Sequence, residues 1–498
     1  MSLKTIMNKP LSLLFFSLSL SLGLLLASAC GGKQQPFSFT SEDDLPGKRV
    51  VALTGSVYDF DLSERQDIEL FRYNNTADCI AALVSGKADV LKDDEIVLSP
   101  ADQRRHGVQL VVRGTESFPC GLVFRKEDVA LASRFDAFLA NIRASGLYQE
   151  MYDRWMDMES EETPHMPEVP VYREGTPIRA GSSSSTAPLG YQVGDDWDGF
   201  EIELLKRFAA SLERPLEIKP YDAAAGPAAL QTGRIDIWFG CIFITEERQQ
   251  SFLFSDPYYD CHSAYFICGE KVNAEKGWAS LKSRFRKNLV EEDRWRFILD
   301  GLWETLILSF WSLLLGTVLA GGICWMKNSR YKWVRSVCHI YTSIMQGLPM
   351  LVLLMVMFYL VLADTPLSAT TVAVISFSMV FAAYVGEIFS SAIESVGKGQ
   401  TEAGIALGFT PLQTFFYVVA PQALRRSLPL YKGEAVSLFK STSIVGYIAI
   451  QDLTRAGDLI RSRTFDAFFP LIVVSVIYFI LAFLLGKGLD LLVKNKQK

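Results

Sequence analysis

Histidine is scarce, with four in 498 residues. That count excludes a histidine-rich metal centre, and no Ser/His/Asp or zinc-ligand spacing can be assembled. Cysteine is sparse too: eight in a chain of this length make no disulfide scaffold. Charged residues are only 21%, below the quarter or so of an ordinary soluble domain. The net charge of −6 excludes a broad nucleic-acid-binding surface. No Gly-x-x-x-x-Gly-Lys-Ser/Thr run occurs, so the chain lacks the phosphate cradle of a P-loop ATPase. Apolar residues are what the chain has: 49% are hydrophobic and 33 are Phe. That excludes disorder over most of the length and points to lipid contact or very large cores. The length allows roughly three domains.

The apolar residues are unevenly placed. Lys4 and Lys9 precede an apolar stretch, Leu11 to Leu26, and Ala27-Ser28-Ala29 supplies small residues for cleavage. Residues 1–30 therefore read as an export signal. Cys30 comes next, then Gly31-Gly32, which is similar to a bacterial lipobox, although Ala27 stands where Leu is usual. Three readings stay open: lipidation of Cys30, plain cleavage before it, or an uncleaved anchor. Each puts the chain beyond Cys30 outside the cytoplasm. Residues 33–296 read as soluble, with no apolar run near the ~20 residues a membrane helix needs. Apolar runs recur near 303–325, 344–363, 369–390 and 467–491, with a weaker one near 433–450. About five spans are expected.

Loop charge gives orientation. Lys327, Arg330, Lys332 and Arg335 follow the first run; Lys398, Arg425, Arg426 and Lys432 follow the third; Lys494, Lys496 and Lys498 end the chain. These belong in the cytoplasm. The segment 451–466 then lies outside, although Arg455, Arg461 and Arg463 fit the rule poorly.

The soluble half alternates strand-like and helix-like stretches. An acidic, proline-bearing segment with Pro164, Pro167 and Pro170 divides it as a linker. Gly199-Phe200-Glu201-Ile202-Glu203-Leu204 resembles a motif of bacterial solute-binding proteins for polar amino acids. So do Gly233-Arg234-Ile235-Asp236, Ile244-Thr245-Glu246-Glu247-Arg248 and Phe254-Ser255-Asp256-Pro257-Tyr258-Tyr259. In that family these belong to the first lobe of a clamshell. Asp44 to Val50, Gly55-Ser56 and Gly86-Lys87-Ala88-Asp89 with Asp94 resemble the second lobe. The order here is reversed, as if the chain were permuted, which is easy where termini lie close together. The resemblance implies an α/β two-lobed periplasmic-binding-protein clamshell, type II-like with permuted lobes. Its parts are expected at 37–163 (second-lobe-like), 164–175 (linker) and 176–272 (first-lobe-like), with a connector at 273–296.

The resemblance also implies an amino-acid ligand. A guanidinium matches a carboxylate with two prongs, and a carboxylate matches an ammonium. Arg248 would hold the ligand carboxylate, capped by the backbone of Gly55-Ser56, and Asp94 would hold the ammonium. Thr245, Cys241 and Phe243 would complete the pocket; the last two stand where small residues are frequent, so the pocket reads as greasier than usual. On the residues alone, Arg248 is more often a solvated helix start capped by Thr245, and Asp94 a solvated acidic turn. Tyr191 and Trp238 are pocket wall or core.

In the membrane half, Trp303 to Ser309 and Gln346-Gly347-Leu348-Pro349-Met350 resemble amino-acid-type ABC permeases. Residues 297–498 are therefore expected to be an all-α ABC importer permease domain. Gly399-Gln400-Thr401-Glu402-Ala403-Gly404, with Gly408 and Pro421 beyond, resembles the cytoplasmic EAA loop that docks into an ATPase subunit; Gly404 replaces the usual third Ala. Glu402 would make the charged contact, and Ala403 and Gly408 would permit close approach. Lys440 to Ser443 matches a further family run. Glu387 and Glu394 are pathway candidates or lie at the cytoplasmic rim. The resemblance implies an ABC importer subunit with its own binding protein in the cytoplasmic membrane, taking up a polar amino acid such as glutamine. The resemblance further implies no enzyme activity and no cofactor in this chain, with ATP and Mg expected on two copies of a partner ATPase. Further partners are a second copy of this chain, membrane lipid and the ligand, and not nucleic acid. A clamshell-gated channel and an exported enzyme on the same fold are the alternatives.

Overall fold

A computed structural model describes residues 39–156, 164–182, 187–193, 196–221, 225–269, 278–363, 365–466 and 468–494. The expected signal and Cys30 lie outside these residues.

Among the described residues of the soluble half there are two five-stranded sheets and a two-stranded one, Tyr191–Val193 with Asp196–Asp198. The first holds, in spatial order, Glu69–Tyr73, Arg49–Leu53, Val90–Asp94, Tyr259–Cys268 and Val108–Cys120. The second holds Leu253–Phe254, Val123–Phe124, Ile237–Phe239, Ile178–Ser182 and Leu216–Pro220. They are called here the Asp94 lobe and the Arg248 lobe. Short parallel strands such as Arg49–Leu53 are buried along their centres and alternate with helices, as the sequence pattern expects.

The lobes are not the two contiguous stretches expected from the sequence. The chain leaves the Asp94 sheet at Cys120 and joins the other sheet at Val123. It returns between Phe254 and Tyr259. Residues 129–156, placed by sequence in the second-lobe-like stretch, pack on the Arg248 lobe: Phe135 meets Phe208 edge-on, and Trp155 Nε1 donates to Glu203 Oε2 at 2.6 Å. Strand Tyr259–Cys268, expected in the first-lobe-like stretch, sits inside the Asp94 sheet. The physical reason is pairing. A ten-residue strand with five consecutive register partners on Val90–Asp94 is held by residues far away in sequence, which local composition does not report.

The two crossings form the hinge. Leu122 N donates to Ser255 Oγ at 2.9 Å, and Ser255 N donates back to the Leu122 carbonyl at 2.9 Å. Tyr258 N reaches the Cys120 carbonyl. A Cβ on Gly121 would lie 3.1 Å from Ile244, so only glycine fits this crossing comfortably.

Among the described residues of the membrane half, three helices are long and apolar enough to cross: Trp295–Lys327, Ala369–Glu394 and Phe469–Asp490. The expected run at 344–363 is broken. Lys332–Gly347 bends by 109° into Met350–Val361. Pro349 explains the break: it has no N–H to give, and it pushes Leu348 into an extended conformation, φ −94 and ψ 136. Counting the bent pair as one span gives four. The weak fifth run at 433–450 is not a candidate span. It falls on the end of Ala420–Ser441, which carries Arg425, Arg426, Lys432, Glu434 and Lys440, and then on a 3-10 turn, Thr442–Ile448. The first and third runs pack through glycine. A Cβ on Gly316 would lie 2.7 Å from Phe381, and one on Gly386 would lie 2.6 Å from Ile323.

The clamshell sits on this domain. Arg234 donates to the carbonyls of Phe358 and Leu362, at 3.2 and 2.6 Å, and lies over the Phe358 ring. Helix Leu453–Thr464 meets the other lobe through an Arg461–Asp78 ion pair. Arg463 stacks on Tyr191 at 4.3 Å and pairs with Glu292. These contacts explain the basic outer segment: its arginines are partnered by the exported half of the same chain.

Candidate ligand-binding cleft and coupling loop

Parallel sheets bind ligands beyond the carboxyl ends of their strands. In the Asp94 lobe those ends are Leu53 to Ser56, Tyr73 to Asn75 and Asp93-Asp94, and all of them line one cavity of about 820 Å³. Across it stand Gly240 to Phe243 and Arg248 of the other lobe. The floor comes from the membrane domain: Ser443, Tyr447, Asp452, Arg455 and Arg461.

Arg248 lies in the first turn of the helix Glu246–Ser251, whose N-cap is Thr245. The Thr245 hydroxyl accepts from Arg248 N at 3.3 Å. The cap and the cleft-lining arginine therefore coexist. Thr245 itself is not part of the lining. The Arg248 guanidinium donates to the Phe243 carbonyl at 3.2 Å and makes no ion pair among the described residues. Burial pulls its pKa down, opposed by the charge of Glu247. A half-buried cation without a carboxylate partner is what an anionic ligand group would complete.

Asp94 closes the opposite side. Its carboxylate accepts from Tyr58 Oη at 2.6 Å. Burial pushes its pKa up; hydrogen bonds from Tyr58 and Cys261 pull the other way. Tyr58 also belongs to an aromatic cluster. Phe243 stacks on Phe118 at 5.1 Å and meets Tyr58 edge-on at 5.9 Å. The greasy wall expected from Phe243 is present, and it spans both lobes. Gly55 has φ +73, and its amide donates to Asp59 Oδ2 at 2.9 Å. Ser56 caps Val57–Ser63 by accepting from Asp59 N. The backbone cap expected for a ligand carboxylate is thus engaged within the chain, Gly55 N by Asp59 and Ser56 N by the Leu53 carbonyl.

Cys241 is not a free wall residue. It forms a disulfide with Cys120, which ties the hinge crossing to the loop before Arg248. Trp238 lines the cavity, whereas Tyr191 is core, buried beneath Arg463. Sequence reasoning missed the support. Glu201 and Glu203 are both fully buried. Glu201 accepts from Cys241 N at 2.7 Å and from Tyr258, and so fixes the loop that carries the disulfide. Glu203 gathers Arg154, Trp155 and Arg207. Two acids at alternate places in an otherwise apolar helix start were the available signal.

On the opposite side of the membrane half, helix Lys398–Ala406 carries Gly399, Gln400, Glu402 and Ala403, all exposed. Gly408 ends it at φ +86, in the left-handed region. Thr410 then opens a short helix with a capping box to Gln413, and Pro421 stands in the first turn of Ala420–Ser441. The Gly404 departure has a cause: a Cβ there would lie 2.6 Å from the buried Thr414 methyl. Glu387 pairs with Lys327, and Glu394 is exposed at its helix end.

Two family descriptions match. "Binding-protein-dependent transport system inner membrane component" covers residues 312–496, and "Bacterial extracellular solute-binding proteins, family 3" covers 178–296. The L-cystine transport system permease protein TcyB of Bacillus subtilis (strain 168) is 36% identical over 201 residues, 40% of this chain and 86% of that protein. The Probable amino-acid ABC transporter permease protein YckA of the same organism is 34% identical, over 36% of this chain and 81% of its own length. Among solved structures, "Crystal structure of an amino acid ABC transporter with histidines" is 30% identical, covers 44% of this chain and 99% of that one, and has a TM-score of 0.39.

Proposed function

The chain belongs to the inner-membrane components of binding-protein-dependent transport systems, and from that premise we propose that it joins binding protein and permease of an amino-acid ABC importer in one polypeptide. One observation carries the reading. A single cavity is walled by Arg248 and Asp94 on opposing lobes and floored by the membrane domain itself. A free amino acid offers a carboxylate to the first and an ammonium to the second. Charge-assisted bonds of that kind are worth about 1.5–3 kcal/mol each. Ligand bridging the lobes favours closure over a ready exit into the membrane half.

ATP is hydrolysed on a separate subunit, because this chain has no P-loop run. That subunit docks on the loop from Gly399 to Pro421, with Glu402 as the charged contact. One chain supplies one such loop, and an importer needs two ATPase subunits. The assembly is a symmetric pair of this chain with two ATPases. Cys30 anchors the exported front by lipid. A ligand-gated pore would share the two-lobed clamshell and the 109° bend at Pro349; the exposed loop has no use in such a channel.

The test is calorimetry of the full chain in nanodiscs against the twenty L-amino acids. At least one binds, and Arg248→Ala weakens it about 10- to 100-fold. Binding of none, or an unchanged affinity in the variant, contradicts the reading.

A further inference from the structure

Asp93 and Asp94 leave the strand Val90–Asp94 on opposite faces, yet both line the cavity, because the strand ends there. Asp94 has work already: it accepts from Tyr58 Oη. Asp93 is different. It is only 6% exposed. Its Oδ1 accepts from Asp94 N at 2.9 Å, which turns the carboxyl toward the end of the strand. Its Oδ2 is buried and has no hydrogen-bond partner among the described residues. A buried, unpaired carboxylate oxygen is costly unless something completes it. Burial, and then the neighbouring Asp94, push its pKa up, as expected for an acid that lacks a donor. Asn75, Thr76 and Val97 line the same cavity. A cavity of about 820 Å³ leaves room for a long side chain beyond the two backbone groups.

We propose that Asp93 is a specificity-determining residue of the cleft, accepting a hydrogen bond from a nitrogen donor, amide or ammonium, at the far end of the ligand's side chain. This deepens the importer reading and rests on it. Arg248 takes the carboxylate, Asp94 the α-ammonium, and Asp93 the terminal nitrogen. The substrate class is then amino acids with a nitrogen-tipped side chain.

The experiment is calorimetry of the full chain in nanodiscs with L-lysine, L-glutamine and L-norleucine. Norleucine matches the lysine stem and lacks its nitrogen. In the wild type, lysine or glutamine binds at least tenfold more tightly than norleucine. Asp93→Leu removes the acceptor while filling its space, brings that preference within about twofold, and leaves norleucine affinity unchanged or tighter. If the leucine variant does not fold, Asp93→Asn is read instead: lysine affinity falls at least tenfold and norleucine affinity does not. A wild type without the preference overturns the proposal, as does a variant that keeps it or loses all three ligands equally. Failure of every amino acid to bind the wild type overturns the importer reading itself, and is told apart by that.

Discussion

The cleft and the cytoplasmic loop differ in what they leave unsatisfied. The cleft is polar and mostly self-contained: Asp59 occupies Gly55, Tyr58 occupies Asp94, and Glu201 holds the loop behind Arg248. What remains open is a few charged atoms. The loop is the reverse. Leu407 is 77% exposed, Leu412 69% and Tyr417 71%. A few unpaired charges suit a small ligand. Several exposed apolar side chains on the same loop as the exposed Glu402 and Gln400 suit a protein. The charged walls of the cleft, Arg248 and Asp94, and the loop lie in separate halves of the fold, so they should fail separately.

The largest expected effect comes from Glu402→Lys. It reverses charge on the exposed loop and abolishes ligand-stimulated ATP hydrolysis in proteoliposomes, with amino-acid affinity unchanged. A change in affinity would break the separation. A smaller effect is expected at Gly404, where the family's usual alanine does not fit against Thr414. Gly404→Ala overpacks the loop by about 1–3 kcal/mol and lowers hydrolysis severalfold; Thr414→Ala in the same chain restores it. Failure of the rescue would show that Gly404 matters for docking and not for packing. The smallest effect is pH dependence in the cleft. Burial raises Asp94 above the ordinary carboxylate range. The ammonium clamp needs its ionised form. Affinity therefore falls as pH is lowered, beginning above the range where an ordinary aspartate protonates, while the exposed loop shows no matching trend. A titration of binding against pH with no such fall would contradict the burial of Asp94.

Sequence reached the chemistry more readily than the connections. Arg248, Asp94 and the loop around Glu402 were legible because each sits in a run of several specific residues. The permutation was legible for the same reason. The interleaving of the lobes was not, because strand Tyr259–Cys268 is held by hydrogen bonds to Val90–Asp94 and Val108–Cys120, more than a hundred residues away. The Cys120–Cys241 pairing was hidden among five exported cysteines besides Cys30. The bend at Pro349 was masked by a continuous apolar run, since hydropathy counts side chains and ignores the missing N–H. Arg461 read as an exception to loop-charge rules, and its partner, Asp78, is 383 residues away.

The central claim is that one chain both captures the amino acid and couples to the ATPase. It is tested most directly by reconstituting this chain with its ATPase in proteoliposomes, adding no separate binding protein, and measuring ATP hydrolysis against added amino acid. The account predicts stimulation that saturates at the calorimetric affinity and is lost in Arg248→Ala. Hydrolysis that responds only when a separate binding protein is supplied would contradict it.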